Sequence, residues 1–235
     1  MPSFSLIFLL MAGLAQKPVD GFQARQHKTM PYRVFIPPAY NPADSYPLVV
    51  WLHGAGSIGN DNLKQISGAS LRGTHTWTTR QVQMAHPVFV LAPQGRSWSN
   101  PELELVVEII DSLKNEFSID SARFYVAGQS MGGHGTWSII TMHPDLFAAA
   151  IPLCGWGEPA RAERIAKTPI WAFHGDADTN VSVTESRRMI EAVRKAGGNP
   201  RYTEYKGVGH EVWFKTFKEP DLLEWVFAQH KTNDR

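Results

Sequence analysis

The residues best suited to chemistry in this chain are Gly128-Gln129-Ser130-Met131-Gly132, directly after the apolar run Phe124-Tyr125-Val126-Ala127. A serine between glycines in G-x-S-x-G, at the end of a strand and the start of a helix, sits in a tight strained turn with its hydroxyl raised above a sheet edge. Side chains two residues to either side would clash in such a turn, so both flanking positions are glycine. The following run, Gly132-Gly133-His134-Gly135-Thr136-Trp137-Ser138-Ile139-Ile140, reads into a helix. A serine hydroxyl is a poor nucleophile until a base takes its proton, and the base needs an acid to orient it. Two later loops offer these groups. His174-Gly175-Asp176-Ala177-Asp178-Thr179-Asn180-Val181 follows an apolar strand and supplies two carboxylates, and Gly207-Val208-Gly209-His210-Glu211-Val212-Trp213 supplies a histidine. An earlier strand closes on Leu52-His53-Gly54-Ala55-Gly56, where backbone N–H groups and that of Met131 would form an oxyanion hole. Ala55 is the expected first donor and Gly56 its alternative.

The elements that must position these groups follow an alternating order. Tyr32–Ile36 reads as a strand, Pro47–Leu52 as a buried parallel strand of nearly continuous apolar residues, and Val88–Ala92 as another. Pro101 falls at a first helical position behind a capping residue, and Leu103, Val106, Val107, Ile110, Leu113 and Phe117 mark one helix face. After the elbow come a strand to Leu153, a short helix near 158–166 and the strand Ile170–Phe173. Ser182 and Glu185 are spaced as a capping box for a helix ending at Gly197-Gly198. Arg201–Tyr205 is the last strand and 222–229 the last helix. Strands alternating with helices predict a three-layer α/β sandwich around a mostly parallel sheet. Ser130 to Asp178 is 48 residues and Asp178 to His210 is 32, each enough for one helix and one strand.

Taken together, H-G-A-G, G-Q-S-M-G-G, F-H-G-D-A-D-x-x-V and G-H resemble the compact α/β-hydrolase esterases: the carboxylesterase and dienelactone-hydrolase group with the related secreted feruloyl and polyester-depolymerase-like enzymes. Any one of these motifs recurs by chance; four in this order at these intervals, from about Tyr32 to Gln229, do not. The resemblance implies the chain order Ser, Asp, His, with Ser130 as nucleophile, Asp178 as acid and His210 as base. Ser182 stands where many such relatives carry proline. Asp176 is the rival acid, expected instead in loop structure. His53 and His134 lie in glycine-rich turns, His53 being expected to brace the oxyanion loop. Asp61 and Asn62 either pin that loop or cap the next helix. Caps in this fold usually enter after the strand that follows the nucleophile helix, and here only fifteen residues (154–168) lie between Leu153 and Pro169. The expected fold therefore has no cap domain, and the site is open to bulky or polymer-linked esters. Trp98, Trp156 and Trp213 sit on loops at the same sheet edge, as candidate substrate contacts; Trp137 belongs in the core.

Composition narrows the class. A net charge of +1 without basic runs gives no footprint for nucleic acid or an anionic membrane. The single cysteine, Cys154, excludes an internal disulfide and is expected to be buried and inert. H-x-D-x-D at His174, Asp176 and Asp178 lacks the spacing of a zinc or calcium site, so neither metal nor cofactor is expected. Residues 1–20 resemble a short signal peptide or form an N-terminal extension, with an apolar stretch too short to span a bilayer. Residues 21–235 are expected to be one catalytic domain, secreted or periplasmic, with a cytoplasmic location as the alternative. The leading expectation is a serine carboxylesterase for short acyl chains. A thioesterase or a feruloyl or acetyl-carbohydrate esterase would use the same machinery. A serine peptidase is less favoured, because peptidases on this fold carry a large extra N-terminal domain. A non-catalytic binding protein does not need the three chemical residues.

Overall fold

A computed structural model describes residues 21–231. The signal-like segment of residues 1–20 lies outside them. One eight-stranded sheet runs through the molecule in the order β1-β2-β4-β3-β5-β6-β7-β8. Its strands are β1 (Phe22–His27), β2 (Met30–Phe35), β3 (Tyr46–Leu52), β4 (Phe89–Pro93), β5 (Ile119–Gln129), β6 (Ala149–Leu153), β7 (Trp171–Gly175) and β8 (Arg201–Tyr205). β2 pairs antiparallel with β1 and with β4, and every other neighbouring pair is parallel.

Alternation along the central strands splits the core into two layers. Leu48, Val50 and Leu52 of β3, with Phe124 and Val126 of β5, face α3 (Asn100–Glu116), α4 (Met131–Met142) and α5 (Val183–Lys195). Val49, Trp51, Tyr125 and Ala127 face the other way, toward α1 (Leu71–Thr78), α2 (Arg80–Ala85), α6 (Trp213–Thr216) and α7 (Leu222–Phe227). Both faces are covered, which is why the central strands are apolar along their whole length.

Several local expectations shift. The α3 helix begins at Asn100 with Ser99 as its cap residue, and Ile109 replaces Val107 and Phe117 on the fully buried face. The Glu102 carboxylate accepts from the Arg96 and Ser97 backbone N–H groups, fixing the loop before the helix. Ser182 Oγ accepts from the Thr184 N–H at 3.3 Å, but the Glu185 carboxylate faces Arg188, so the capping box forms only on one side. The short helix between β6 and β7 is a 3₁₀ segment, Pro159–Ile165. The α7 helix stops at Phe227. No further domain is inserted between β6 and β7.

Candidate active site

The loops that carry chemistry all leave the carboxyl ends of parallel strands, where an open α/β sheet forms its ligand crevice. Ala55 follows β3, Ser130 follows β5, Asp178 follows β7 and His210 follows β8. Three of these strands, β3, β5 and β7, lie within the interior of the sheet, so these positions are fixed by its packing.

Ser130 occupies φ +56°, ψ −117°, a conformation side chains rarely adopt. The strain is held in place from two sides. Its N–H donates to the Leu153 carbonyl at 2.9 Å, and its own carbonyl accepts from His134 at 3.0 Å. The glycines make the turn possible. A Cβ on Gly132 would stand 1.9 Å from the Leu52 carbonyl oxygen, and one on Gly128 2.3 Å from the Gly132 oxygen. Both obstacles are backbone and cannot yield. Gly132→Ala is therefore expected to abolish activity and to lower the melting temperature by several degrees, since overpacking typically costs about 1–3 kcal/mol or more; a thermal melt beside an ester assay checks both.

The three side chains singled out from the sequence meet in one line. Asp178 Oδ2 lies 2.7 Å from His210 Nδ1, and His210 Nε2 lies 2.8 Å from Ser130 Oγ. With a carboxylate at Nδ1, that nitrogen carries the proton and donates it, leaving the Nε2 lone pair to accept from the serine hydroxyl. Asp178's other oxygen, Oδ1, accepts from the Asn180 and Val181 N–H groups at 2.8 and 3.0 Å. Burial works to raise the Asp178 pKa, but the hydrogen bonds from His210, Val181 and Asn180 prevail and hold it below the usual carboxylate range. The carboxylate thus stays anionic as the pH falls through the mildly acid range.

The neighbouring candidates are committed elsewhere. Asp176 Oδ1 accepts from the Gly207 N–H at 2.6 Å, and its own N–H donates to the Tyr205 carbonyl, which ties the loop after β7 to the loop that carries His210. His53 is fully buried, with Nδ1–H donating to the Gly54 carbonyl and Nε2 accepting from Gly95 N–H. Burial pushes its pKa down, so it remains neutral. His134 Nδ1–H donates to the Trp156 carbonyl, and its ring stacks on the Trp156 indole at 4.6 Å.

Ala55 opens a 3₁₀ turn and Met131 opens α4, so their N–H groups are among the helix-start donors that have no partner within the helix. Ala55 and Gly56 are both exposed on the open edge. The loop behind them is pinned through a residue sequence reasoning missed. Gln94 Nε2 donates to the Ser57 carbonyl at 3.1 Å and to Asp61 Oδ1 at 3.2 Å, while its Oε1 accepts from Asn62 N–H at 2.7 Å. Asp61 also accepts from Leu63 and Lys64, so it braces the loop and caps the following 3₁₀ turn at once. Asn62's carbonyl in turn accepts from buried Arg33 at 2.6 Å.

The tryptophans divide. Trp98 is enclosed, contrary to the expectation that it lines the pocket: only 1% of it is exposed, its Nε1–H donates to the His53 carbonyl, and its ring packs on the His53 imidazole at 4.8 Å. It braces the loop after β3 through His53. Trp213 is 4% exposed and stands edge-on to His210, 5.8 Å away. Trp156 alone of the three is exposed, at 36%. Ile58, on the loop after β3, and Phe214, on α6 after β8, are exposed as well.

Cys154 is buried on the loop after β6, and burial raises its thiol pKa far above the ordinary value, so the sulfur stays protonated. Its sulfur, an Asp178 oxygen and a His210 nitrogen lie within 4.8 Å of one another, as metal ligands can. The carboxylate and imidazole, however, are already bonded to each other at 2.7 Å, and a protonated thiol is no ligand.

A mostly parallel sheet with helices on both faces, an elbow serine after β5 and an acid and a histidine after β7 and β8 defines the α/β-hydrolase class. Comparison with known proteins agrees: residues 24–211 match the model of the Esterase family, and the chain belongs to that family. It is similar to the crystal structure of a thermostable esterase, with 40% identity and a TM-score of 0.86 over 90% of this chain and 64% of that one. It is 24% identical over 216 residues to an uncharacterized secreted protein of Arthroderma benhamiae, covering 76% of this chain and 22% of that protein. It is also 23% identical to carboxylesterase SOBER1 of Arabidopsis thaliana, covering 76% of this chain and 88% of that protein. The chain thus spans under a quarter of the first relative and about two thirds of the solved esterase.

Proposed function

We propose that this protein is a serine carboxylesterase that hydrolyses short-chain carboxylic esters through an acyl-enzyme intermediate. The observation that carries this reading is the unbroken line from Asp178 through His210 to an elbow serine at φ +56°. Ser130 Oγ attacks the ester carbonyl carbon while its proton passes to His210 Nε2, and Asp178 holds the imidazolium that forms. The Ala55 and Met131 N–H groups stabilise the oxyanion, each worth a few kcal/mol of transition-state stabilisation. His210 returns its proton to the departing alcohol. Water, deprotonated by the same nitrogen, then attacks the acyl carbon and frees the serine. A thioester would pass through the same steps.

The open edge supports small or polymer-linked esters. The hollows of about 400 Å³ beside Arg187 and Tyr202, and about 520 Å³ beside Arg72 and Phe217, involve none of the three reacting side chains. Trp156, Ile58 and Phe214 instead flank the serine's edge as exposed apolar surface. A lipase hides such surface beneath a lid and uncovers it at an oil surface. Here acetyl to butyryl nitrophenyl esters are expected to be preferred over palmitoyl esters, with rates rising smoothly through the substrate's solubility limit. A sharp rise at emulsion formation, or a palmitoyl preference, overturns that reading. No step uses a metal, so exhaustive chelation is expected to leave the rate unchanged, and a rate restored only by added zinc or calcium contradicts the mechanism.

Export fits the signal-like residues 1–20, and one relative is described as secreted. No helix among the described residues is long and apolar enough to cross a membrane. N-terminal sequencing of the protein recovered from culture medium and periplasm tests the location.

A further inference from the structure

His174 is a fully buried polar member of F-H-G-D-A-D that the catalytic scheme leaves without a task. It is fully buried on β7, on the face turned to α5, where its sheet neighbour Ala172 packs into an apolar layer. The buried face of α5 is Val183, Met189, Ile190 and Val193, with a single polar residue, Ser186, 1% exposed. The two polar groups meet: Ser186 Oγ lies 2.7 Å from His174 Nδ1. Burying an imidazole and a hydroxyl in an otherwise apolar layer is costly unless their bonds do something an aliphatic pair would not.

The other ring nitrogen shows what that is. His174 Nε2 lies 3.0 Å from the Val181 carbonyl and 3.2 Å from Asp178 Oδ2. Both are pure acceptors, so Nε2 carries the proton, and the Nδ1 lone pair accepts from the Ser186 hydroxyl. Burial holds the ring neutral. The His174 proton goes to the Val181 carbonyl, with Asp178 Oδ2 beside it at 3.2 Å; Oδ2 accepts from His210, while Oδ1 accepts from the Asn180 and Val181 N–H groups. His174 thus ties down the Val181 backbone that holds Oδ1, and its N–H dipole stands against Oδ2.

We propose that His174, set in its tautomer by Ser186, is a positioning residue for the ester-hydrolysis machinery: it fixes the Val181 backbone that holds Asp178 Oδ1 and sets its N–H dipole against Oδ2. The inference rests on the serine-esterase reading of Ser130, His210 and Asp178. Its consequence is directional. Without the His174 N–H beside it, the Oδ2 charge is less offset, so the acid limb of the rate is expected to move to higher pH. The other ionisable groups around this cluster are the Cys154 thiol, Asp176, and Glu204 opposite His174 on β8, whose charge is taken by Arg187 at 2.6 and 2.9 Å. None of them is altered by the substitutions below.

The test measures kcat/KM against pH for the wild type, His174→Phe, His174→Gln and Ser186→Ala, each normalised to active sites titrated with a fluorophosphonate. His174→Phe is expected to lose roughly ten- to a hundredfold in kcat at unchanged KM, the scale of a small misplacement of a catalytic group. Its acid limb is expected to move up by about half a pH unit or more. His174→Gln, whose amide nitrogen can stand in for Nε2, is expected to return the limb toward the wild type. Ser186→Ala, which removes only a hydroxyl from a helix face and keeps the ring, is expected to shift it in the same direction by less. Should His174→Phe fail to fold, Ser186→Ala and His174→Gln carry the comparison. Variants that titrate fully yet keep the wild-type limb and kcat, even if they melt lower, overturn the inference and leave a purely structural pair. A wild type that does not titrate at all overturns the esterase reading instead.

Discussion

Replacing Ser130 by alanine is expected to lower kcat for a short-chain ester by about 10⁶, and His210→Ala by a comparable factor, because the members of such a constellation act as a unit. That is close to 8 kcal/mol of transition-state stabilisation. Two mechanisms add. The alanine removes the atom that forms the acyl-enzyme, and without it the imidazole, 2.8 Å away, has no hydroxyl to deprotonate. The double variant is expected to be scarcely worse than either single one. Some catalysis above the water rate should survive from the Ala55 and Met131 amides, since these do not depend on the serine hydroxyl. Steady-state rates of the three variants, with circular dichroism to show that the elbow still folds, check this. Additive losses in the double variant would mean that the two residues do not share a step.

The second large effect separates two aspartates that stand two positions apart. Asp178→Asn is expected to cost about 10⁴ in kcat, because an amide NH₂ facing His210 Nδ1 forces the wrong tautomer on the base. Asp176→Asn is expected to cost less than about tenfold, with its deficit in stability: its carboxylate accepts from Gly207 N–H at 2.6 Å, at a turn between the last strand and the histidine loop. The geometry explains the difference. Asp176 is exposed and bonds backbone; Asp178 has no exposed side-chain surface and bonds the base. Parallel kinetics and thermal melts of the two variants decide it. A larger kcat loss in Asp176→Asn would reassign the acid.

The parts of the site that lie in short contiguous motifs are legible in the sequence, because each motif encodes a local backbone necessity. Gly128 and Gly132 announce the turn that raises Ser130, and the apolar run before them announces the buried strand that carries it. The interior strands β3, β4 and β5 read clearly for the same reason, being apolar on both faces. What stays hidden is long-range. Gln94 reaches Ser57 and Asp61 across more than thirty residues of chain, and Arg33 reaches Asn62 across 29, so no periodicity marks them. His174 and Ser186 are twelve apart on different elements, and the only trace is a serine on an otherwise apolar helix face. β1 escapes because it is an edge strand, half-exposed and polar in composition, with the sequence Phe-Gln-Ala-Arg-Gln-His. α1, with glycine and three threonines in eight residues, has weak helix propensity and is held by tertiary packing of Trp77. Trp98 misleads for a related reason: its loop position at the sheet's active edge suggests exposure, but its indole turns inward under His53.

The most direct test of the central claim is covalent. The purified protein is treated with a fluorophosphonate, the adduct is counted by intact-protein mass spectrometry and its position is found by peptide mapping. One adduct per chain is expected, on Ser130, with labelling suppressed by a slowly hydrolysed ester and absent from Ser130→Ala. No adduct on the folded wild-type protein, or an adduct on another residue that persists in Ser130→Ala, contradicts the account.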